Sequence, residues 1–272
     1  MELRNHTILI TGGTSGFGYE FARQLLALGN TVLITGRNPA KLADTKRRLP
    51  QVHTFQSDVS DPAAIQRLAE QVGKQFPGLN VLINNAGEMR KLNLQDPATD
   101  LLDLTREIDT NLAGPIRMVQ QFLPQLRAQK TAAILNVTSG LALTPYPVCP
   151  VYGATKAGLR SYTQSLRVQL QATNVKVFEL VAPSAKTPLS EQFAADFKDS
   201  GVKESDLMAP DRVVAQALQS MQRDAWEVFP GMATALRYLS RLAPGFLVKQ
   251  LSKGLTEALA QPQATAKAKA AG

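Results

Sequence analysis

Cysteine and histidine are scarce in this chain of 272 residues: there is one cysteine, Cys149, and there are two histidines, His6 and His53. A lone cysteine excludes an intrachain disulfide and fits a reducing compartment. One cysteine and two scattered histidines offer no ligand spacing, so no metal site is read. Long apolar runs are missing as well. The longest stretch without charge, residues 131–155, carries Pro145, Pro147 and Pro150 among glycines and hydroxyls, which rules out a membrane helix. Met1 to His6 is polar and lacks the basic, apolar and small-residue regions of a secretory leader. These absences point to a cytoplasmic protein.

What is present is a regular alternation. Apolar runs at 7–11 (TILIT), 31–35 (TVLIT), 52–55 (VHTF), 80–84 (NVLIN), 132–139 (AAILNVTS) and 175–181 (VKVFELV) read as strands, with WEVF (226–229) as a seventh. Helical spacing fills the intervals. Phe17, Phe21, Leu25 and Leu28 mark the first helix, Pro39 and Asp61-Pro62 open the next two, and 101–129 and 152–172 hold long ones. Continuously apolar strands alternating with helices predict a doubly wound α/β fold, a parallel sheet of about seven strands covered on both faces. The expected organisation is one domain over 1–230, an amphipathic helical extension over 231–260 packed on it, and a disordered tail over 261–272.

Between the first strand and first helix stands TGGTSGFG (11–18). Its glycines at 12, 16 and 18 permit a tight turn and leave helix N–H groups facing an anion. Gly12, Thr14, Ser15, Gly16, Phe17 and Gly18 are therefore candidate phosphate contacts. One more absence is informative. Where a carboxylate would hold a ribose 2′-hydroxyl, at the end of the second strand, the chain has Gly36 and Arg37. A guanidinium there suits a 2′-phosphate, so the cofactor expected is NADP(H). The formal charge of +8 then reads as a basic surface with an anionic cofactor, with no nucleic-acid partner.

With TGGTSGFG, Asp58-Val59, NNAG (84–87), Asn111 in DTNLAGP, Ser139 in NVTSG and Tyr152-x-x-x-Lys156 all in order, the chain resembles the short-chain dehydrogenase/reductase family in its compact branch. NTVLITGRN, EIDTNLAGPIRM and SGLAL are most similar to the DltE-like group. The resemblance covers the chain to about Phe229. It implies a Rossmann-type, NADP-dependent carbonyl reductase or the reverse dehydrogenase. Asn111, Ser139, Tyr152 and Lys156 would be its catalytic tetrad. Asp58 and Val59 would flank the adenine, and Asn85, Ala86 and Gly87 would pack beside the adenosine ribose. Lys156 would hold the nicotinamide ribose, and Asn111 would anchor a water leading to Lys156. A homodimer or homotetramer through the helices bearing Asn111 and Tyr152 is also implied. The chemistry agrees. Residues four apart share a helix face, and a cation about 4 Å from a phenol contributes roughly 4 kcal/mol at an effective dielectric near 20.

The pattern departs after the sixth strand, where VAPSAKTPL replaces the family's Pro-Gly. Aligning Thr187 with the family threonine puts Ala182 and Pro183 in those places. Thr187 would then contact the nicotinamide carboxamide, or cap PLSEQF, or both. Leu141, Tyr146 and Cys149 are expected to border the substrate. Residues 235–255 form a basic amphipathic stretch broken at Pro244-Gly245, readable as a cap over the pocket, as subunit packing, or as a weak membrane-surface contact. The alternative to an enzyme is a cofactor-binding sensor or interaction protein on the same fold.

Overall fold

The computed structural model describes residues 1–191, 193 and 207–252. The expected tail and the end of the extension lie outside the described residues. Seven parallel strands form one sheet: β1 (Thr7–Ile10), β2 (Thr31–Gly36), β3 (His53–Gln56), β4 (Leu79–Asn84), β5 (Ala132–Ser139), β6 (Val175–Ala182) and β7 (Glu227–Val228), in the order β3-β2-β1-β4-β5-β6-β7. The strand order reverses between β1 and β4. That switch leaves a crevice beyond their carboxyl ends, where ligands of open α/β sheets sit.

Side-chain alternation explains how both faces close. From β1, Ile8 and Ile10 pack with Phe21 and Leu25 of α1 (Gly16–Ala27) and with Val213 and Val214 of a later helix. Leu9, between them, points the other way. It joins Leu68 of α3 (Pro62–Gln75), Phe122 of α5 (Gly114–Arg127) and Leu166 of α6 (Pro150–Leu170). Helix α2 (Pro39–Arg48) starts under an Asn38 cap and α3 under an Asp61 cap, each with proline at its first position.

The long helix expected over 101–129 is three pieces in one rod: α4 (Leu101–Ile108), a π-turn (Asp109–Ala113) and α5. Asn111 sits inside the π-turn. After β6 comes α7 (Pro188–Glu191), then α8 (Pro210–Gln222), then the extension, which divides as expected into α9 (Met232–Leu242) and α10 (Pro244–Leu251). Helix α9 closes over the end of β5: a Cβ on Gly140 would lie 3.1 Å from Leu236 Cδ1.

Candidate active site

A cleft of about 430 Å³ follows the carboxyl ends of the strands from β3 to β6. At its β1 end the turn into α1 needs its glycines. Gly12 has φ +67°, and a Cβ there would lie 2.9 Å from Ala86 Cα. Gly16, at φ +53°, opens α1, whose N-cap Ser15 makes no side-chain cap bond, so the helix presents its first amides to the cleft. Thr11 and Asn85 knit this turn to the NNAG segment. The Thr11 hydroxyl accepts from the Asn85 and Ala86 amides, at 3.0 Å each, and Asn85 Nδ2 donates to the Thr11 and Gly12 carbonyls. A backbone cradle held open in this way fits a dinucleotide pyrophosphate.

Gly12, Thr14, Ser15, Gly16 and Phe17 all line the cleft, as do Arg37, Asp58, Val59, Asn85, Ala86, Gly87 and Thr187. Gly18 does not. A Cβ there would meet Gly12 O at 2.2 Å and Asn85 Nδ2 at 2.5 Å, so its role is to let α1 approach the turn rather than to touch a ligand. Arg37 is mostly exposed, 3.9 Å from Asp58, and shares its end of the cleft with Lys41. Thr187 faces Gly16 across the cradle and also opens α7, where its carbonyl accepts from the Ser190 and Glu191 amides.

At the far end Ser139, Tyr152 and Lys156 reach the same cleft. Ser139 closes β5 and accepts from the Leu141 amide at 3.2 Å. Burial pushes the Tyr152 phenol above its ordinary value. A hydrogen bond from Ser139 pulls the other way, and Cys149 and Glu107 add to the upward push. Lys156, also buried, is lowered to about 8 by desolvation. Its ammonium donates to Val137 O at 2.9 Å and lies 5.7 Å from the centre of the Tyr152 ring. Ser139 is therefore the immediate partner of the phenol, and Lys156 stands further off than sequence spacing alone suggests.

Asn111 is fully buried behind this group and does not line the cleft. Its Oδ1 accepts from the Glu88 amide at 2.9 Å, and its Nδ2 donates to Glu88 O and to Thr155 Oγ1. Both amide hydrogens and one acceptor site of the carbonyl oxygen are engaged within the protein, so the side chain fixes the loop after β4. Gly87 packs between the two: a Cβ there would lie 3.2 Å from Asn111 Oδ1 and 3.5 Å from Lys156 Nζ.

Leu141 and Tyr146 line the cleft. Cys149 does not: it is fully buried and packs with Met89, Tyr146 and Tyr152 behind the wall. Leu236 and Leu251 of the wall belong to the stretch readable as a cap over the pocket, while Lys41, Met89 and Leu189 escaped the sequence reading as individual residues. So did Glu107 of α4. Its carboxylate is buried, accepts from the Arg90 amide at 3.1 Å and lies 3.7 Å from Arg90 Nε. Burial raises it to about 7, against the pull of Arg90. Its only sequence signal is a place one helical turn before Asn111.

Known proteins show the same organisation. The family described as short chain dehydrogenase matches residues 6–198. The chain is 44% identical over 192 residues to the uncharacterized oxidoreductase DltE of Bacillus subtilis, covering 71% of this chain and 76% of that one. It is 33% identical over 245 residues to sulfoacetaldehyde reductase 2 of Chromohalobacter salexigens, covering 82% and 96%. It is 36% identical over 174 residues to the NADP-dependent 3-hydroxy acid dehydrogenase YdfG of Salmonella typhi, covering 64% and 70%. The fold matches two crystal structures at a TM-score of 0.78. One is a short chain dehydrogenase of Burkholderia cenocepacia with NADP, 24% identical over 92% of this chain and 99% of that one. The other is a Burkholderia phymatum protein with NAD, 23% identical over 87% and 93%. The motifs, the sheet and this match together place the chain in the short chain dehydrogenase family, oxidoreductases that use a nicotinamide cofactor.

Proposed function

We propose that this chain interconverts a carbonyl and an alcohol with NADP(H), and that Tyr152 is its general acid and base. The observation that carries the reading is the convergence of Ser139, Tyr152 and Lys156 on one wall of a cleft whose other end is a glycine cradle. When bound, the cofactor supplies or accepts the hydride at the carbonyl carbon. Ser139 and the Tyr152 phenol together hold the carbonyl oxygen. As the carbon is reduced, the phenol proton passes to that oxygen, leaving a phenolate. The Lys156 ammonium stabilises this charge and, at about 8, exchanges protons close to neutral pH. Names of relatives agree with this class, since sulfoacetaldehyde is an aldehyde and a 3-hydroxy acid is an alcohol.

Choice of NADP(H) rests on Arg37 and Lys41, the two cations at the adenosine end, where a 2′-phosphate accepts charge-assisted hydrogen bonds. The wild type and Tyr152→Phe would be followed with NADPH against a panel of aldehydes and ketones. Turnover should fall at least ~100-fold in the variant while NADPH affinity stays. Equal turnover by both would remove Tyr152 from this role. Tight NADPH binding with no substrate turned over by the wild type would favour a sensor over an enzyme.

A further inference from the structure

We infer that the carbonyl compound accepted at Tyr152 is uncharged and carries an apolar chain or ring. The inference rests on the reading of Tyr152 as the reacting end of the cleft, and it adds what the rest of the substrate must be.

Among the described residues, four charged side chains line the cleft: Arg37, Lys41, Asp58 and Lys156. The first three stand at the adenosine end. Lys156 is the fourth, and its ammonium is held by Val137 O beneath the phenol. Around Tyr152 the packing is apolar. Met89, Tyr146 and Phe193 form a buried cluster with it, joined by Leu141, Leu189 and Leu251. Leu236 of α9 covers Gly140, next to Ser139.

Four described cations near this end have other partners, and none of the four lines the cleft. Arg90 follows Met89 directly, yet its guanidinium turns to Asp103 at 2.7 Å and to the buried Glu107. Arg106 is paired with Glu88 and Asp103. Lys91 stands over the Phe193 ring at 5.7 Å. Arg237, beside Leu236, lies over the Phe229 ring at 4.5 Å and within 3.9 Å of Glu227.

A substrate carboxylate or sulfonate seated here would lose its water to methionine and leucine side chains and, among the described residues, would find as its nearest lining cation only Lys156, already held by Val137 O. Burying an ion without a partner costs several kcal/mol. An alkyl or aryl group in the same place is stabilised by about 25 cal/mol per Å² of apolar surface removed from water. The wall therefore selects against an acid and for an apolar substituent. The polar groups of the described wall at this end, the hydroxyls of Ser139, Thr144, Tyr146 and Tyr152, are uncharged.

Two measurements on the full chain with NADPH test this. The first compares twins matched in length, octanal with 8-oxooctanoate, by NADPH oxidation. Octanal should be preferred in kcat/KM by at least ~100-fold, the penalty of one unpaired buried ion. The second needs no turnover. The neutral fluorescent probe N-phenyl-1-naphthylamine should bind the holoprotein and be displaced by 2-octanone but not by octanoate. Leu236→Lys, which places a cation in the wall, should bring octanoate within reach of displacement. The inference is overturned if the oxo acid is turned over as well as octanal, if octanoate displaces the probe like the ketone, or if the probe does not bind. Selective displacement without turnover of any aldehyde would leave the inference standing and sink the reductase reading instead.

Discussion

Single residues differ in how plainly they announce themselves. Tyr152, Lys156 and Ser139 are legible because each belongs to a motif with fixed spacing, and Arg37 because it replaces an expected carboxylate. Glu107 is not legible, because a lone glutamate on a helix reads as solvated surface until the fold shows it buried against Arg90. Its burial has a measurable consequence. In the unfolded chain the group titrates near the ordinary 4.5, and in the folded chain at about 7. Between those values the folded state binds the proton more tightly, so stability falls as pH rises through that window. The full penalty, roughly 3 kcal/mol for such a shift, is present above pH 7 and absent below about 4.5. Glu107→Gln still accepts from the Arg90 amide but does not titrate. Its melting temperature should therefore rise relative to wild type by several degrees between pH 5 and pH 8. A difference that stays flat across that range would show that the folded state does not hold a Glu107 proton that it loses between pH 5 and pH 8.

At the scale of elements, strands and caps follow from the sequence because their causes are local. Apolar runs give the strands, and Asn38, Asp61 and the prolines after them give the helix starts. The π-turn at Asp109–Ala113 is not local in this sense. It allows Gly114 to approach Val59 O, which a Cβ would meet at 2.8 Å, and lets Asn111 grip the Glu88 backbone, two contacts made only after folding. Glycines show the same division. Gly18 and Gly73 both lie in helices, and sequence alone gives them the same cost relative to alanine. Their surroundings differ. Gly18→Ala would drive a Cβ to 2.2 Å from Gly12 O, so the turn into α1 must shift, and NADPH affinity and stability should both drop. Gly73→Ala has open space around it and should raise stability by up to about 1 kcal/mol with cofactor affinity unchanged. Calorimetry and cofactor titration of the two variants would check the contrast. Equal losses in both would mean that the close approach at Gly18 does not constrain the turn.

For the whole molecule, the strand order brings segments remote in sequence to one crevice: residues 11–18, 36–41, 84–87, 139–156 and 182–189 meet there. The doubly wound class was readable because its βα rhythm is periodic. The wall supplied by α9 and α10 was readable only as one of three alternatives, because an amphipathic stretch states that it needs a partner without stating which. A cofactor that bridges so many segments binds only the folded chain, so it must stabilise the whole. At a free concentration about 100 times its Kd the gain is roughly 2.7 kcal/mol, which for a chain of this size raises Tm by about 5–10 °C. NADPH should reach that shift at a lower concentration than NADH, because Arg37 and Lys41 face the adenosine end. Arg37→Ala should shrink the NADPH shift and leave the NADH shift nearly unchanged, since the lost contact is to a phosphate that NADH lacks. If both cofactors shift wild type equally, or if Arg37→Ala weakens both alike, the 3.9 Å approach of Arg37 to Asp58 is a surface ion pair and the cations at that end do not select the cofactor.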